Sequence, residues 1–372
     1  MQPLTAEMLA GIESWVRIET HTPDVADVNR LMRLVADSFA TIGARVVRVP
    51  GRDGSGDHLS IASDWGGDGP GVLVLCHLDT VHPKGTLAGG LPFRVEGDRA
   101  YGPGIYDMKA CAYLAFAALR ELVRARTVTP LPIRMLYTSD EEIGSPTSRA
   151  LIEREAARAK YVLVVEPARE GGRIVTARKG VGRYVLTAHG RAAHAGGRHQ
   201  DGRSAIVEIA RHIVAIEART DYARGLTFNV GQVRGGTADN VVPQTCSANI
   251  DMRVVSLADA AEMDRYFTTL QPFDPDIRLE VAGDLNRPPF ETNAGVARLF
   301  EHARGLAQEI GIDLQGMHAG GGSDGNFTAH LVPTLDGLGA DGAEAHTHGE
   351  HILLSSLVPR MTLLRRLFET LA

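Results

Sequence analysis

The sequence predicts an α/β protein: a mixed, largely parallel sheet flanked by helices, into which an α+β segment is inserted. Three observations carry this expectation. The continuous apolar runs at 72–75, 133–136 and 161–165 have the composition of strands buried on both faces. Helical patterns lie between them, alanine- and leucine-rich from Met108 to about Arg126 and periodic over 148–158, so strand and helix alternate. After Lys179 the pattern changes. Residues 184–187, 228–230 and 249–254 read as half-exposed strands, and the helix between the first two carries Ala205, Ile206, Ile209, Ala210 and Ile213 on its apolar face.

A chain of 372 residues exceeds one ordinary core, so more than one domain is expected. The first twenty residues, acidic where a secretory signal needs a basic patch and an apolar core, predict an amphipathic helix. Asn286-Arg287-Pro288-Pro289-Phe290 reads as a rigid joint, and a last helix is expected over 356–371. The resulting boundaries are 1–178 and 289–372 for one domain and 179–288 for the insert.

Bulk composition narrows the function. Hydrophobic content of 44%, charge of 23% and no apolar run of membrane length point to a soluble protein without a membrane partner. A net charge of −6 argues against nucleic acid. Cys76, Cys111 and Cys246 are an odd count without CxxC spacing, which suits a reducing, cytoplasmic setting. Cys76 and Cys111 sit in apolar contexts and read as small buried hydrophobes.

Three of the expected strands end in residues that bind metals. His77 and Asp79 follow the first, Glu141 and Glu142 the second, Glu166 the third. Ligands of open α/β sheets gather at the carboxyl ends of strands, so these groups would converge although far apart in sequence. Asp107 stands before the helical pattern at 108, where a helix cap is its plain role. The run Asp140-Glu141-Glu142 could be an acidic surface turn. In a buried site the three charges would repel and raise one another's pKa unless a cation lay among them. Histidine with several carboxylates at strand ends is the pattern of zinc or a similar divalent ion.

These segments resemble the di-zinc exopeptidases and N-acyl-amino-acid amidohydrolases, a family that includes glutamate carboxypeptidases, acetylornithine deacetylases and succinyl-diaminopimelate desuccinylases. The resemblance covers nearly the whole chain. It rests on HLDTV at 77–81, YGPGIYDMK at 101–109, TSDEEIGS at 138–145, VVEP at 164–167, HAG at 194–196, DNVVP at 239–243, GGGSD at 320–324 and AHTHGE at 345–350. It implies a zinc-peptidase-like catalytic domain with an inserted lid and dimerisation domain, and a homodimer. It also implies two zinc ions per chain, with cobalt or manganese as substitutes. Asp107 would bridge them, with His77 and Glu166 at one ion and Glu142 and His346 at the other.

Asp79 would accept a hydrogen bond from the His77 ring. Glu141 would be the general base, taking a proton from the attacking water and passing it to the leaving amine. Extended backbone at 141–142 would turn the two glutamates to opposite sides, with Asp140 facing structure. For substrate, the resemblance implies Arg253 and the backbone of Gly320, Gly321 and Gly322 at a carboxylate, and His194 and Asn240 at the scissile carbonyl. His346 is preferred to His348 as ligand because Glu350 follows it by four positions. His82, His189, His199, His318 and His351 receive no role. Where the family commonly continues DMK with glycine, this chain has Ala110-Cys111, so packing there is expected to differ. The function implied is hydrolysis of an amide bond to an amino acid with a free carboxylate, in an N-acyl, N-aroyl or dipeptide-like small molecule, as in glutamate carboxypeptidases. A deacylase of the acetylornithine or succinyl-diaminopimelate type is the alternative. A catalytically inactive binding relative is set against by the intact residue set.

Overall fold

The structure, a computed structural model, describes residues 2–169 and 171–372 and comprises two compact units. The first contains Met1–Ala177, Thr292–His318 and Ser323–Ala372; the second contains Arg178–Glu291 and Ala319–Gly322. Among the described residues no helix is long and apolar enough to cross a membrane.

The first unit is built on a six-stranded mixed sheet, in spatial order Arg45–Val49, His58–Ala62, Ile133–Thr138, Gly71–His77, Ala159–Val164 and Thr334–Leu335. Gly71–His77 runs parallel to both Ile133–Thr138 and Ala159–Val164, so these three strands end on the same edge. Every residue of Gly71–His77 and of Ile133–Thr138 is buried, which is why both read as largely apolar runs, Arg134 being the charged exception. Helices Pro3–Val16, Ala110–Arg124 and Leu354–Thr370 pack with one another, Trp15 meeting Tyr113 edge-on with ring centroids 5.0 Å apart.

A small antiparallel sheet, ordered Gly342–Ala343, His351–Leu353, Arg99–Tyr101 and Arg94–Glu96, brings two loops side by side. One loop spans 344–350 and the other begins at Gly102. Both carry residues of the site.

The helix expected from Met108 starts at Ala110 and follows a kinked turn, Ile105–Lys109, in which the backbone of Asp107 and Met108 is not helical. Ala110 stands where the family commonly has glycine, and Cys111 follows it. The Cys111 thiol donates to the Tyr106 carbonyl and accepts from the Ala340 amide, and it lies so close to Gly339 that a Cβ there would stand 2.4 Å from the sulfur. All three cysteines are buried and free.

The second unit is an antiparallel sheet, Thr227–Gly235, Thr245–Val254, Gly180–His189 and Arg278–Arg287, with helices Ala205–Glu217 and Leu257–Thr268 on one face. Alternation decides the faces: Tyr184, Leu186, Ile250 and Met252 are buried against the helices, and the Tyr184 and Phe267 rings stack at 4.0 Å. One expectation is corrected here. Ile206 and Ala210 are not on the buried face of Ala205–Glu217; that face is Ala205, Glu208, Ile209, His212 and Ile216, and Ile206, Val207 and Val214 are exposed. The stripe that packs carries Glu208 and His212, paired with each other at 3.1 Å, while isoleucine and valine also stand on the exposed side, so apolar period alone selects the wrong face.

Candidate metal centre

The site lies at the carboxyl edge of the main sheet of the first unit. His77 is the last residue of its strand, Glu166 follows Ala159–Val164, and Glu142 sits in a short turn after Ile133–Thr138. Asp107 comes from the kinked turn and His346 from the loop 344–350.

Asp107 is shared. Its Oδ1 lies 3.2 Å from His77 Nε2 and its Oδ2 lies 3.3 Å from His346 Nε2. His77 Nε2 is also 3.6 Å from Glu166 Oε1, and His346 Nε2 is 3.4 Å from Glu142 Oε2. The result is two three-donor sets, His77–Asp107–Glu166 and Asp107–Glu142–His346, each with its ligand atoms within 4.8 Å of one another. The first set is buried, whereas His346 opens the second to solvent with half its side chain exposed. A mixed imidazole and carboxylate donor set of this size suits zinc or a similar divalent cation. Glu142 Oε1 agrees with that fit, being buried with no hydrogen-bond partner, a costly state for a carboxylate oxygen unless a cation meets it. His348 is elsewhere, its ring packed over Gly90.

Glu141 and Glu142 do not lie in extended backbone, as expected, but in a 3-10 turn, Glu141–Ile143, closed by Gly144 at φ 96°. Successive residues of such a turn are about 120° apart, so the two carboxylates still diverge. Glu141 is half-buried and close enough for its charge to act on both His77 and Glu166. Asp140 faces inward, accepting from the amides of Thr147 and Ser148 and from both their hydroxyls. The three adjacent carboxylates thus separate by direction.

Asp79 meets the His77 ring twice: Nδ1 is 3.0 Å from its main-chain carbonyl and 3.5 Å from its carboxylate. That carboxylate also accepts from Thr22 Oγ1 and from the amides of Glu141 and Glu142, fixing the acidic turn. Asp324 braces the same turn from both sides, accepting from Thr138 Oγ1 and Ser145 Oγ.

Glu350 has a role that sequence reasoning missed. Its carboxylate is fully buried, accepts from the amides of Gly104, Tyr106 and Asp107, and faces His82 Nε2 at 2.5 Å. The available signal was its fixed offset from His346, but that offset says nothing of the distant amides it holds.

The second unit carries the remaining expected residues. An isolated bridge pairs His194 with Val241, and the Ala195 amide donates to the Asn240 carbonyl, so the HAG and DNVVP motifs are adjacent. Arg253 forms a two-pronged pair with Asp251, Nε to Oδ1 at 2.7 Å and Nη2 to Oδ2 at 3.0 Å. Gly320 and Gly321 have open space where a Cβ would be; Gly322 does not, because Arg287 Cδ would lie 2.7 Å away.

Electrostatics in the metal-free protein follow from the crowding. Although burial works to lower it, His77 is held well above the usual imidazole range by Asp107 and Asp79. Hydrogen bonds to Asp107 and Glu142 push His346 up to about 10. Burial raises Glu142 and Glu166, the latter further through the charge of Asp107, and Asp107 itself is held low against its burial by the two imidazoles.

Protonated His346 therefore stabilises the metal-free fold below its unfolded value of 6.5, and this contribution is lost as pH rises toward about 10. A cation needs the neutral ring, so its binding releases protons and tightens over the same rise. The expected outcome is that chelated protein loses thermal stability across this window while the gain in Tm on adding zinc grows; a zinc effect that shrinks with pH would contradict the assignment. For Glu350→Gln, metal competition should show affinity lowered about 10- to 100-fold with circular dichroism unchanged, the loss typical of a group orienting a ligand. Unchanged affinity would leave Glu350 with a packing role only.

Comparison with known proteins places this geometry. Peptidase family M20/M25/M40 matches residues 73–370. Carboxypeptidase G2 of Pseudomonas sp. (strain RS-16) is 31% identical over 98% of this chain and 89% of its own. The succinyl-diaminopimelate desuccinylase of Aromatoleum aromaticum is 28% identical over 91% of this chain and 90% of its own. In fold, the chain is similar to aminopeptidase PepT of Bacillus cereus, with a TM-score of 0.77, 23% identity and 98% of each chain covered. It is also similar to the M20 family metallo-carboxypeptidase Sso-CP2 of Sulfolobus solfataricus, with a TM-score of 0.74, 15% identity and 98% of each chain covered. A match across most of the sequence shows that the chain belongs to the M20/M25/M40 peptidase family of hydrolases.

Proposed function

We propose that the chain is a two-metal amidohydrolase that releases an amino acid with a free carboxylate, glutamate or a close relative, from an N-acyl or N-aroyl conjugate. The observation that carries this is the sharing of Asp107 between two three-donor sets, one on each carboxylate oxygen. His77 and Glu166 would hold one zinc ion with Asp107, and Glu142 and His346 the other. When bound, the ions supply Lewis acidity at the attacking water and the scissile carbonyl.

The chain's own residues do the rest. Glu141 takes the proton of the attacking water and delivers it to the leaving amine. His194 and the Asn240 amide donate to the carbonyl oxygen as negative charge develops there. Arg253 binds the carboxylate of the amino acid; its pair with Asp251 uses two of five N–H donors and leaves three for substrate. Backbone amides of Gly320, Gly321 and Gly322 add donors for the same group.

The glutamate preference is supported by the 31% identity with carboxypeptidase G2 over nearly the whole chain. A succinyl-diaminopimelate or acetylornithine type of deacylase is the second reading, favoured by the desuccinylase relatives. The second unit would act as lid and dimerisation surface, supported by the exposed Ile206, Val207 and Val214 along one helix. Buried free cysteines suit a reducing cytoplasm.

A hydrolysis screen over N-aroyl- and N-acyl-glutamates, N-succinyl-diaminopimelate and N-acetylornithine, with zinc and with chelator, tests the reaction. Glutamate conjugates should turn over, stop with chelator and recover with zinc. Glu141→Gln should keep its metal and lose about 10²- to 10⁴-fold in turnover. Activity confined to the other two substrates selects the deacylase reading, and none anywhere selects a binding relative. Light scattering should report a dimer for the wild type and a monomer for Val214→Arg; a monomeric wild type sinks the interface.

A further inference from the structure

His194 was expected to serve the scissile carbonyl, but that expectation does not say which ring nitrogen serves or what holds it. The segment around it is pinned at several points. The Val242 amide donates to the Ala193 carbonyl, the Ala195 amide to the Asn240 carbonyl, and the Arg198 amide to the carbonyl of His194 itself. The ring then folds back on its own chain. Its Nδ1 accepts from two backbone amides, those of Gly196 and Gly197, each at 3.1 Å.

A backbone N–H can only donate, so Nδ1 must present its lone pair to both. A proton on Nδ1 would break the two bonds and set like dipoles against each other. The neutral ring consistent with this geometry carries its proton on Nε2. We infer that the amides of Gly196 and Gly197 are positioning groups that lock His194 as the Nε2–H tautomer, making it a hydrogen-bond donor to a substrate oxygen rather than a proton-accepting base.

A free imidazole exchanges between tautomers, and only one of them donates from Nε2. Locking it means that the donor need not be selected at each turnover, the kind of preorganisation that favours an oxygen gaining negative charge. The inference deepens the role of His194 proposed above and rests on it for function, although the lock itself is a property of the free protein.

The two glycines allow a clean test. Neither lies in the left-handed region, and a Cβ on either would come no nearer to the His194 ring than 3.7 Å. Alanine is therefore accommodated and keeps the amide proton, whereas proline removes it. The measurement is nitrogen NMR of the full chain with ring-labelled histidine and labelled glycine, with zinc added. In the wild type, Gly196→Ala and Gly197→Ala, His194 should show a protonated Nε2, an unprotonated Nδ1 and a coupling from Nδ1 to the glycine amide nitrogen. An Nδ1–H signal in the wild type overturns the inference without any variant being needed.

In Gly197→Pro the coupling to residue 197 should vanish while that to Gly196 remains, the second tautomer should gain population, and kcat should fall about 2- to 10-fold at similar KM, the equivalent of one hydrogen bond. Unchanged tautomer and kcat in that variant would also overturn it. The two levels remain separable: a locked ring in a protein whose His194→Ala variant turns over normally would keep the lock and remove the catalytic role.

Discussion

The site depends on one electrostatic constraint: Asp107 must stand within 4.8 Å of Glu166 on one side and of Glu142 on the other, with Asp107 and Glu166 buried. Like charges at that spacing oppose folding unless positive charge is interleaved; in the metal-free protein His77 and His346 stand among them, and Arg169 lies 3.9 Å from Glu166. The fold offsets the rest with backbone donors. Asp79, Asp140 and Glu350 are each completely buried, and each accepts from main-chain amides, with hydroxyls added at Asp79 and Asp140 and the His82 ring beside Glu350. Such donors stabilise a carboxylate while leaving the net charge of the cluster negative, which is the condition for attracting a cation.

Rigidity follows from the same bonds. The acidic turn is tied to Asp79 by its amides, to Asp324 by flanking hydroxyls and to the start of Arg149–Ala156 through Asp140. The loop bearing Asp107 is tied to Glu350, four residues from His346. Each ligand-bearing segment is therefore clamped by a residue that belongs to a different segment. The geometry of one ligand cannot drift without dragging another.

How much of this was legible depended on the range of the interaction. His77, Glu142 and Glu166 could be found because strand ends are visible as apolar runs and a parallel sheet aligns those ends. Asp107 and His346 sit in irregular loops and emerged only through their motifs. Glu350 was visible as a letter at a fixed offset, but its partners lie more than two hundred positions away and become neighbours only when the small sheet pairs His351–Leu353 with Arg99–Tyr101. The 3-10 turn at Glu141–Ile143 escaped because three residues are too few to show a period. Ile206 and Ala210 were placed on the wrong face for a different reason, since the stripe that packs carries Glu208 and His212, which no apolar period would select.

The second unit leaves and re-enters the sequence at one spot. Arg178 and Phe290 exchange both main-chain hydrogen bonds, amide to carbonyl in each direction, at 2.9 and 3.0 Å. A segment whose ends meet behaves, for the chain on either side, as a short closed loop. The entropic cost of carrying it grows only with the logarithm of its length. Its own core, from Tyr184 to Phe267, is drawn entirely from residues inside that loop. Such an insert can vary in length and surface between descendants with little penalty to the sheet whose strand ends carry the two donor sets, so the two parts of the chain are free to evolve on separate clocks.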